Sequence, residues 1–406
     1  MTNTVTICIP CLMLGGTEIA TLGMVRALVE GGWDVGVVCY HEWDAAMVAR
    51  YEKAGALVER LEHPRGDFRG LFRRLVRLFR ERRPAVAHIQ YMAPGLLPIL
   101  AAKWAGVPRI FATVHAAGSA GFGLKAKAML RFAGMFTDHF FCVSENCEKF
   151  WFGKASGAKT GAERRRVRHS TIYNGVDVEA IQAAGRGLDR AKERAALGIS
   201  ANAPVVGIVG RVVKLKGHDV LFRAAGLLKD TLPQLRILVV GEGPDREYFE
   251  QVAREAGIAE RIVWAGRVEP EELPKYYHLM DVLAMPSRWE GFGLTAVEAM
   301  AAGVPVVGSD VPGLREVLSE GLSGFLSPVG DSSGFAEQLE KAFADGRRSV
   351  RQRMPVFALD SYALDSVRSQ WLNAYARFPA GRTDDARRQT NTARTTLTRP
   401  LPTNDH

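Results

Sequence analysis

Ser287-Arg288-Trp289-Glu290-Gly291-Phe292-Gly293-Leu294-Thr295-Ala296-Val297-Glu298-Ala299-Met300 decides how this chain is read. The apolar run Val282-Leu283-Ala284-Met285, closed by Pro286, precedes it and reads as a short buried strand. Leu294 to Ala302 is rich in strong helix formers and stops at Gly303 and Pro305. Glu290 and two glycines therefore occupy a strand-to-helix loop, with Glu298 about two turns further on. Gly291 and Gly293 let backbone approach a ligand closely, and a helix N-terminus offers unpaired N–H groups to an anion. Taken alone, Glu290 reads equally well as a helix cap and Glu298 as a solvated residue.

The same alternation runs through the rest of the chain. Val5–Ile9 is a β-rich run, followed by Leu14-Gly15-Gly16-Thr17-Glu18 and a helical pattern over Ile19–Glu30. Strand, glycine-rich turn and helix open a doubly wound sheet. A complete G-x-G-x-x-G is missing, which weighs against a nicotinamide dehydrogenase. Strands follow at Val35–Tyr40, Leu57–Leu61, Ala85–Tyr91, Arg109–His115 and Phe140–Ser144, with helices over Phe68–Arg82, Gly95–Ala105 and Leu124–Phe136. Residues 153–168 read as a mobile basic loop containing Arg164-Arg165-Arg166. Thr171–Asp177 ends a strand in an Asn-Gly turn, and Val178–Leu197 reads as one charged helix.

From Pro204 the alternation starts afresh. Strands run from Val205–Gly210 through Leu235–Gly241, Ile262–Ala265, Val282–Met285, Val304–Gly308 and Gly324–Leu326, with helices over Gly217–Lys229, Glu247–Ala256, Glu271–Leu279, Leu294–Ala302 and Ser333–Ala344. The expected architecture is α/β, two Rossmann-like doubly wound domains facing across a cleft. Residues 1–175 form the first domain and 176–355 the second; a final helix spans 356–378 and can cross back to the first domain. The tail 379–406, with almost no apolar mass, is expected to be disordered.

Composition narrows the function classes. The 406 residues are 47% apolar and 24% charged, enough for two cores, and no run of about 18 apolar residues suggests a membrane span. The N-terminus lacks a basic region and its apolar run is cut by Pro10, so no signal peptide is read and a cytoplasmic location is expected. Five cysteines make no disulfide framework, and Cys8-Ile9-Pro10-Cys11 lacks the second pair that a zinc site needs. Residues 1–180 hold 24 Lys and Arg against 16 Asp and Glu, whereas the remainder is nearly balanced. That basic half suits phosphates or an anionic membrane surface. Without a motif or interleaved aromatics, it does not suit nucleic acid.

Four segments together resemble the retaining glycosyltransferases of family 4, which have the GT-B fold. They are Leu14–Glu18, Asn174-Gly175-Val176-Asp177, Gly210-Arg211 with Lys214-Leu215-Lys216-Gly217, and Glu290–Leu294 through Glu298. The resemblance covers residues 5 to about 378, with Gly241-Glu242-Gly243-Pro244 as a weaker fifth match. It implies that Arg211 and Lys216 hold the donor diphosphate and that Glu290 faces the donor sugar. Gly291, Phe292, Gly293 and Leu294 would present backbone N–H groups, and Glu298 would accept from the ribose hydroxyls. Arg267 and Val268 would lie along the base, Gly15 and Gly16 would border acceptor and phosphates, and His115 would stand near the reacting sugar.

The implied activity is transfer of a hexose from a nucleotide-diphosphate sugar, UDP-sugar favoured, to a glycan or lipid-linked acceptor. Bacterial cell-surface polysaccharide or lipopolysaccharide synthesis is the expected setting. No Asp-x-Asp is present, so no metal and no cofactor are expected, the nucleotide sugar being a co-substrate. A sugar-nucleotide epimerase or a non-catalytic binding protein on the same fold stays open at this stage. Arg69, Arg73, Arg77 and Arg80 follow one face of the helix 68–82, while Phe68, Leu71, Phe72, Leu75, Val76 and Phe79 follow another. Peripheral attachment to the inner membrane face is the expectation drawn from those arginines.

Overall fold

The computed structural model describes residues 3–91, 96–115, 123–156, 168–320, 324–353 and 360–377. The first half alternates β1 (Thr4–Ile9), α1 (Gly16–Glu30), β2 (Asp34–Cys39), α2 (Ala45–Lys53), β3 (Leu57–Arg60), α3 (Phe68–Arg82), β4 (Val86–Tyr91), α4 (Leu96–Trp104), β5 (Arg109–Val114), α5 (Leu124–Ala133), β6 (His139–Cys142), α6 (Glu145–Phe152) and β7 (His169–Thr171). The strands form a parallel sheet in the order β3-β2-β1-β4-β5-β6-β7. Strands buried on both faces need apolar side chains at nearly every position, as Val5–Ile9 and Phe140–Cys142 have.

Helix α3 shows why the sequence is readable. Leu71, Leu75, Val76, Leu78 and Phe79 recur at helical spacing and are buried. Asp67 caps the first turn, accepting from Gly70 N over 2.8 Å, a contact worth about 1 kcal/mol. Arg83 in left-handed backbone ends the helix before Pro84. Phe68, expected in the apolar stripe, is instead exposed, because it stands at the cap end beyond the sheet.

The chain then crosses through α7 (Val178–Ala184) and α8 (Arg190–Ala196). This corrects the single helix expected over 178–197: Gly185 caps α7, and left-handed Gly187 (φ +73°) follows. A second parallel sheet, ordered β10-β9-β8-β11-β12-β13, is built from β8 (Val205–Val209), α9 (His218–Leu227), β9 (Arg236–Val240), α10 (Arg246–Glu255), β10 (Ile262–Gly266), α11 (Leu273–Leu279), β11 (Val282–Met285), α12 (Leu294–Ala301), β12 (Val306–Ser309), α13 (Pro312–Glu320), β13 (Gly324–Ser327) and α14 (Ser332–Arg353).

The last helix, α15 (Leu364–Ala376), returns to the first sheet. Val367, Trp371 and Tyr375 join the core that β1, β2, α1 and α2 share, and Tyr375 Oη pairs with His88 Nδ1 at 2.7 Å. On its way back the chain runs beside the outgoing crossing. Val176 N donates to Tyr362 O over 2.8 Å, and Leu364 N donates to Val176 O over 3.1 Å. Gly95, Arg164-Arg165-Arg166, the expected helix start near Phe357 and the tail 379–406 lie outside the described residues.

Candidate active site

Each sheet has one place where the strand order reverses. In the first it lies between β1 and β4, in the second between β8 and β11. The connections leaving the two strands go to opposite faces there, and the crevice outside the strand ends is where open α/β sheets hold ligands. The loops entered by Gly15, Lys216 and Glu290 leave β1, β8 and β11 at these two points. The loops face each other closely: a Cβ on Gly16 would lie 3.6 Å from Leu294 Cδ1.

Within the second half, two loops are zipped together. Arg288 N donates to Leu215 O over 2.8 Å, and the Arg288 guanidinium donates to Asp219 over 2.7 and 3.0 Å. Gly217 permits this contact, since a Cβ there would sit 2.0 Å from Pro286 O and its φ is +71°. The result is that Lys216 Nζ donates to Glu290 Oε1 over 2.5 Å, and Ser287 Oγ donates to the same oxygen over 2.8 Å. Glu290 is thus an oriented carboxylate and not a helix cap. The cap position belongs to Gly293 (φ +103°), which has no side chain to occupy the first N–H groups of α12.

Glu298 takes its place one turn into α12. It accepts from Tyr277 Oη over 2.5 Å, and burial pushes its carboxyl above the usual range while the tyrosine bond pulls it back. It lines a cavity of about 390 Å³ shared with Gln90, Thr113, His115, Tyr173 and the early turns of α1. Glu290, Lys216 and Arg211 are not on that lining; they stand at the strand-end crevice. His115 pairs with Gln90 Oε1 at 2.6 Å, and burial lowers its pKa to about 4. The neutral ring donates from Nε2 and keeps Nδ1 as an acceptor.

Arg211 is exposed just beyond β8. Its charge reaches Glu18, whose carboxyl is raised by burial and pulled back by Cys11 and Arg211. Arg267 spans the cleft, donating from both terminal nitrogens to Asp44 over 3.1 Å, and Arg50 crosses it to Glu269 and Glu271 over 2.9 and 2.6 Å. Behind them, Ser144 Oγ donates to Gly291 O over 3.2 Å. Glu316 accepts from Glu145 N and Asn146 N, each over 2.8 Å. A carboxylate at the first turn of α6 is well placed against the helix dipole.

Ser287, Tyr277 and Glu316 had no role in the sequence analysis. Ser287 could have been found, standing three residues before Glu290. Tyr277 and Glu316 could not, because their partners lie 21 and about 170 positions away. Among the described residues, no group of three His, Cys, Asp or Glu side chains could hold a metal ion.

Residues 14–180 match the family model Glycosyltransferase Family 4, and residues 189–355 match Glycosyl transferases group 1. Each half thus matches a glycosyltransferase family model. D-inositol 3-phosphate glycosyltransferase of Corynebacterium urealyticum is 34% identical over 237 residues, 56% of this chain and 55% of that one. The Nocardia farcinica protein of the same name is 35% identical over 206 residues, 49% and 44% of the two chains. The chain thus spans about half the length of these curated relatives. Anabaena Alr3699/HepE, solved with UDP, superposes with a TM-score of 0.71 at 21% identity, covering 93% of this chain and 100% of that one. WaaG, a glycosyltransferase involved in lipopolysaccharide biosynthesis, gives 0.70 at 16%, covering 91% and 99%. The two domains are arranged in the GT-B fold.

Proposed function

We propose that the chain transfers a sugar from a nucleotide-diphosphate donor to a glycan or lipid-linked acceptor, keeping the anomeric configuration. The observation that carries this reading is the Lys216–Glu290 pair at the reversal point of the second sheet, 2.5 Å long and four residues before Leu294, which faces Gly16 of the first. A donor sugar hydroxyl would share the Glu290 carboxylate, while Lys216 and Arg211 neutralise the departing diphosphate beside the uncapped start of α12. Glu298 then takes the ribose hydroxyls. The Arg267-Val268 backbone takes the base. UDP is the favoured nucleotide, because the Anabaena structure was solved with it and another with UDP-glucose.

With no carboxylate assigned to the reverse face of the sugar, the acceptor attacks from the side the diphosphate leaves. The leaving phosphate oxygen draws the acceptor proton, and the protein acts by position and electrostatics. Cationic side chains replace a metal in this scheme. Activity that a chelator abolishes and Mg²⁺ restores would show the phosphate site to be misassigned.

The acceptor class is proposed from the first half. Its basic excess would hold the enzyme reversibly at an anionic inner membrane face, where a lipid-linked intermediate of polysaccharide or lipopolysaccharide synthesis is presented. The donor assignment is tested by thermal unfolding with UDP, GDP, ADP and their sugars. A ligand at 100 times its Kd adds about 2.7 kcal/mol. A stabilising nucleotide sugar that yields only an epimer would replace transfer with isomerisation, and no stabilisation by any of them overturns the donor site.

A further inference from the structure

The outer face of α2 repeats at helical spacing: Ala46, Ala49, Arg50 and Lys53, opposite the buried Met47, Val48 and Tyr51. The two alanines leave space. With Arg26 and Glu30 of α1 this face lines a groove of about 520 Å³, which Glu271 of the second half reaches. Three cations therefore share the groove with two carboxylates, and Glu30 is drawn away by Arg368 of α15 over 2.6 Å. Among the described residues, the side chains of Arg26 and Lys53 make no hydrogen bond or ion pair. Lys53 alone is the ordinary cation of a helix C-terminus. Arg50 sets the groove apart. It holds Glu271 in a two-point fork, Nε to Oε1 at 3.2 Å and Nη2 to Oε2 at 2.6 Å, and its Nη1 is buried without a partner. A guanidinium takes a free carboxylate or phosphate in the same way. Glu271 stands on the loop between β10 and α11, so it enters the groove as a tethered anion. Arg50 above all, and Arg26 at longer range, hold its carboxyl below the usual range.

We infer that this groove binds a small phosphate anion, which displaces Glu271 from Arg50. A monocarboxylate brings no more than Glu271 does and lacks the advantage of the tether. A phosphate anion carries a further charge and oxygens aimed in further directions. It engages Arg26 and Lys53 while keeping the Arg50 fork. Arg26, Arg50 and Glu271 also line the 390 Å³ cavity that holds Glu298 and His115. Displacing Glu271 removes a contact between the two halves and moves one wall of that cavity. An anion outside the cleft thereby acts on the site within it.

Inorganic pyrophosphate is the probe, titrated by calorimetry into the full chain carrying Arg211→Ala/Lys216→Ala, which removes the cations proposed for the donor diphosphate. One equivalent should bind. Adding Arg26→Gln/Lys53→Gln should weaken that binding about tenfold or more. Both side chains are exposed, so the circular dichroism spectrum should not change. Glu271→Gln should tighten binding about tenfold, because the tethered competitor is gone. Glu30→Gln changes the charge of the groove equally and should tighten it by about threefold at most. UDP titrated in parallel should bind no more tightly than pyrophosphate; tighter binding that Arg26→Gln/Lys53→Gln abolishes would make a nucleotide the source of the same diphosphate. Equal tightening by Glu271→Gln and Glu30→Gln would reduce the groove to a general positive field. Pyrophosphate binding that survives Arg26→Gln/Lys53→Gln would place the anion elsewhere. Either result, or no binding at all, overturns the inference. The difference between wild type and the Arg211→Ala/Lys216→Ala chain reports on the donor site separately.

Discussion

The Tyr277 hydroxyl holds Glu298 from beneath, donating over 2.5 Å to an oxygen that a bound ribose would also address. Burial disfavours the charged form of this carboxyl, and Tyr277 lowers that penalty. Tyr277→Phe should therefore raise the Glu298 pKa further and move the acid limb of donor binding to higher pH. Glu298→Gln should raise the donor KM about tenfold or more and change kcat much less, since a ribose contact is made equally in ground and transition states. Donor affinity measured from pH 5 to 8 decides; superimposable profiles for wild type and Tyr277→Phe would remove the tyrosine from this role.

Glu290→Gln keeps shape and removes charge. Turnover should fall about 10²-fold or more with the melting temperature nearly unchanged. Near-normal turnover returns Glu290 to a purely structural place in its loop.

Lys216→Ala strips the partner from Glu290 and a cation from the diphosphate, so donor affinity and turnover should both drop. Lys216→Arg should not restore them, because a planar fork cannot occupy the 2.5 Å point contact. Arg211→Ala should weaken donor binding without disturbing Glu290. Unchanged donor titration in both alanine variants would take the pair out of the site.

His218 is buried at the first turn of α9, with neither ring nitrogen hydrogen-bonded to protein. Burial lowers its pKa from 6.5 to about 4. Between those values the unfolded chain binds the proton and the folded one does not. Its contribution to stability is thus full above pH 6.5 and lost as pH falls toward 4, by up to about 3 kcal/mol. Urea unfolding of wild type and His218→Phe across that range should diverge on the acid side, with wild type losing more. Parallel curves would mean that the ring is hydrated.

Glu316→Ala leaves two N–H groups of α6 without their carboxylate and detaches the first half from the second at that point. Unfolding should move down by about 1–3 kcal/mol, and the radius of gyration in solution scattering should rise. Unaltered scattering would show that Ser144 and the Arg50 and Arg267 ion pairs hold the halves together unaided.

Most of the fold is legible because parallel strands write themselves as short apolar runs. Val282–Met285 and Phe68–Arg82 are bounded to the residue for that reason and for the cap and stop signals around them. Three helices escape. α2 is short, nine residues with only Met47, Val48 and Tyr51 buried, so its apolar period is too brief to stand out behind the Asp44 cap. α6 is capped by Ser144, which in sequence reads as the last residue of the preceding strand. α13 starts at Pro312, a residue that favours the first helical position but reads as a breaker in isolation. Motif residues in the site are legible because glycines and charges at fixed offsets rarely arise from core packing alone. The contacts between halves are not, since no local pattern encodes the distance from Asn146 to Glu316.

Helix α15 has a bearing on how the protein is made. Trp371 and Tyr375 fill the core of the domain that is synthesised first, and each burial contributes roughly 2–3 kcal/mol. While the ribosome is still adding residues 205–353, β1, β2 and His88 therefore lack part of their covering. The second domain has all its strands by Ser327 and is free to fold as a unit before then. The half that emerges first is thus the half that finishes last, waiting for residues 364–376 to clear the exit tunnel.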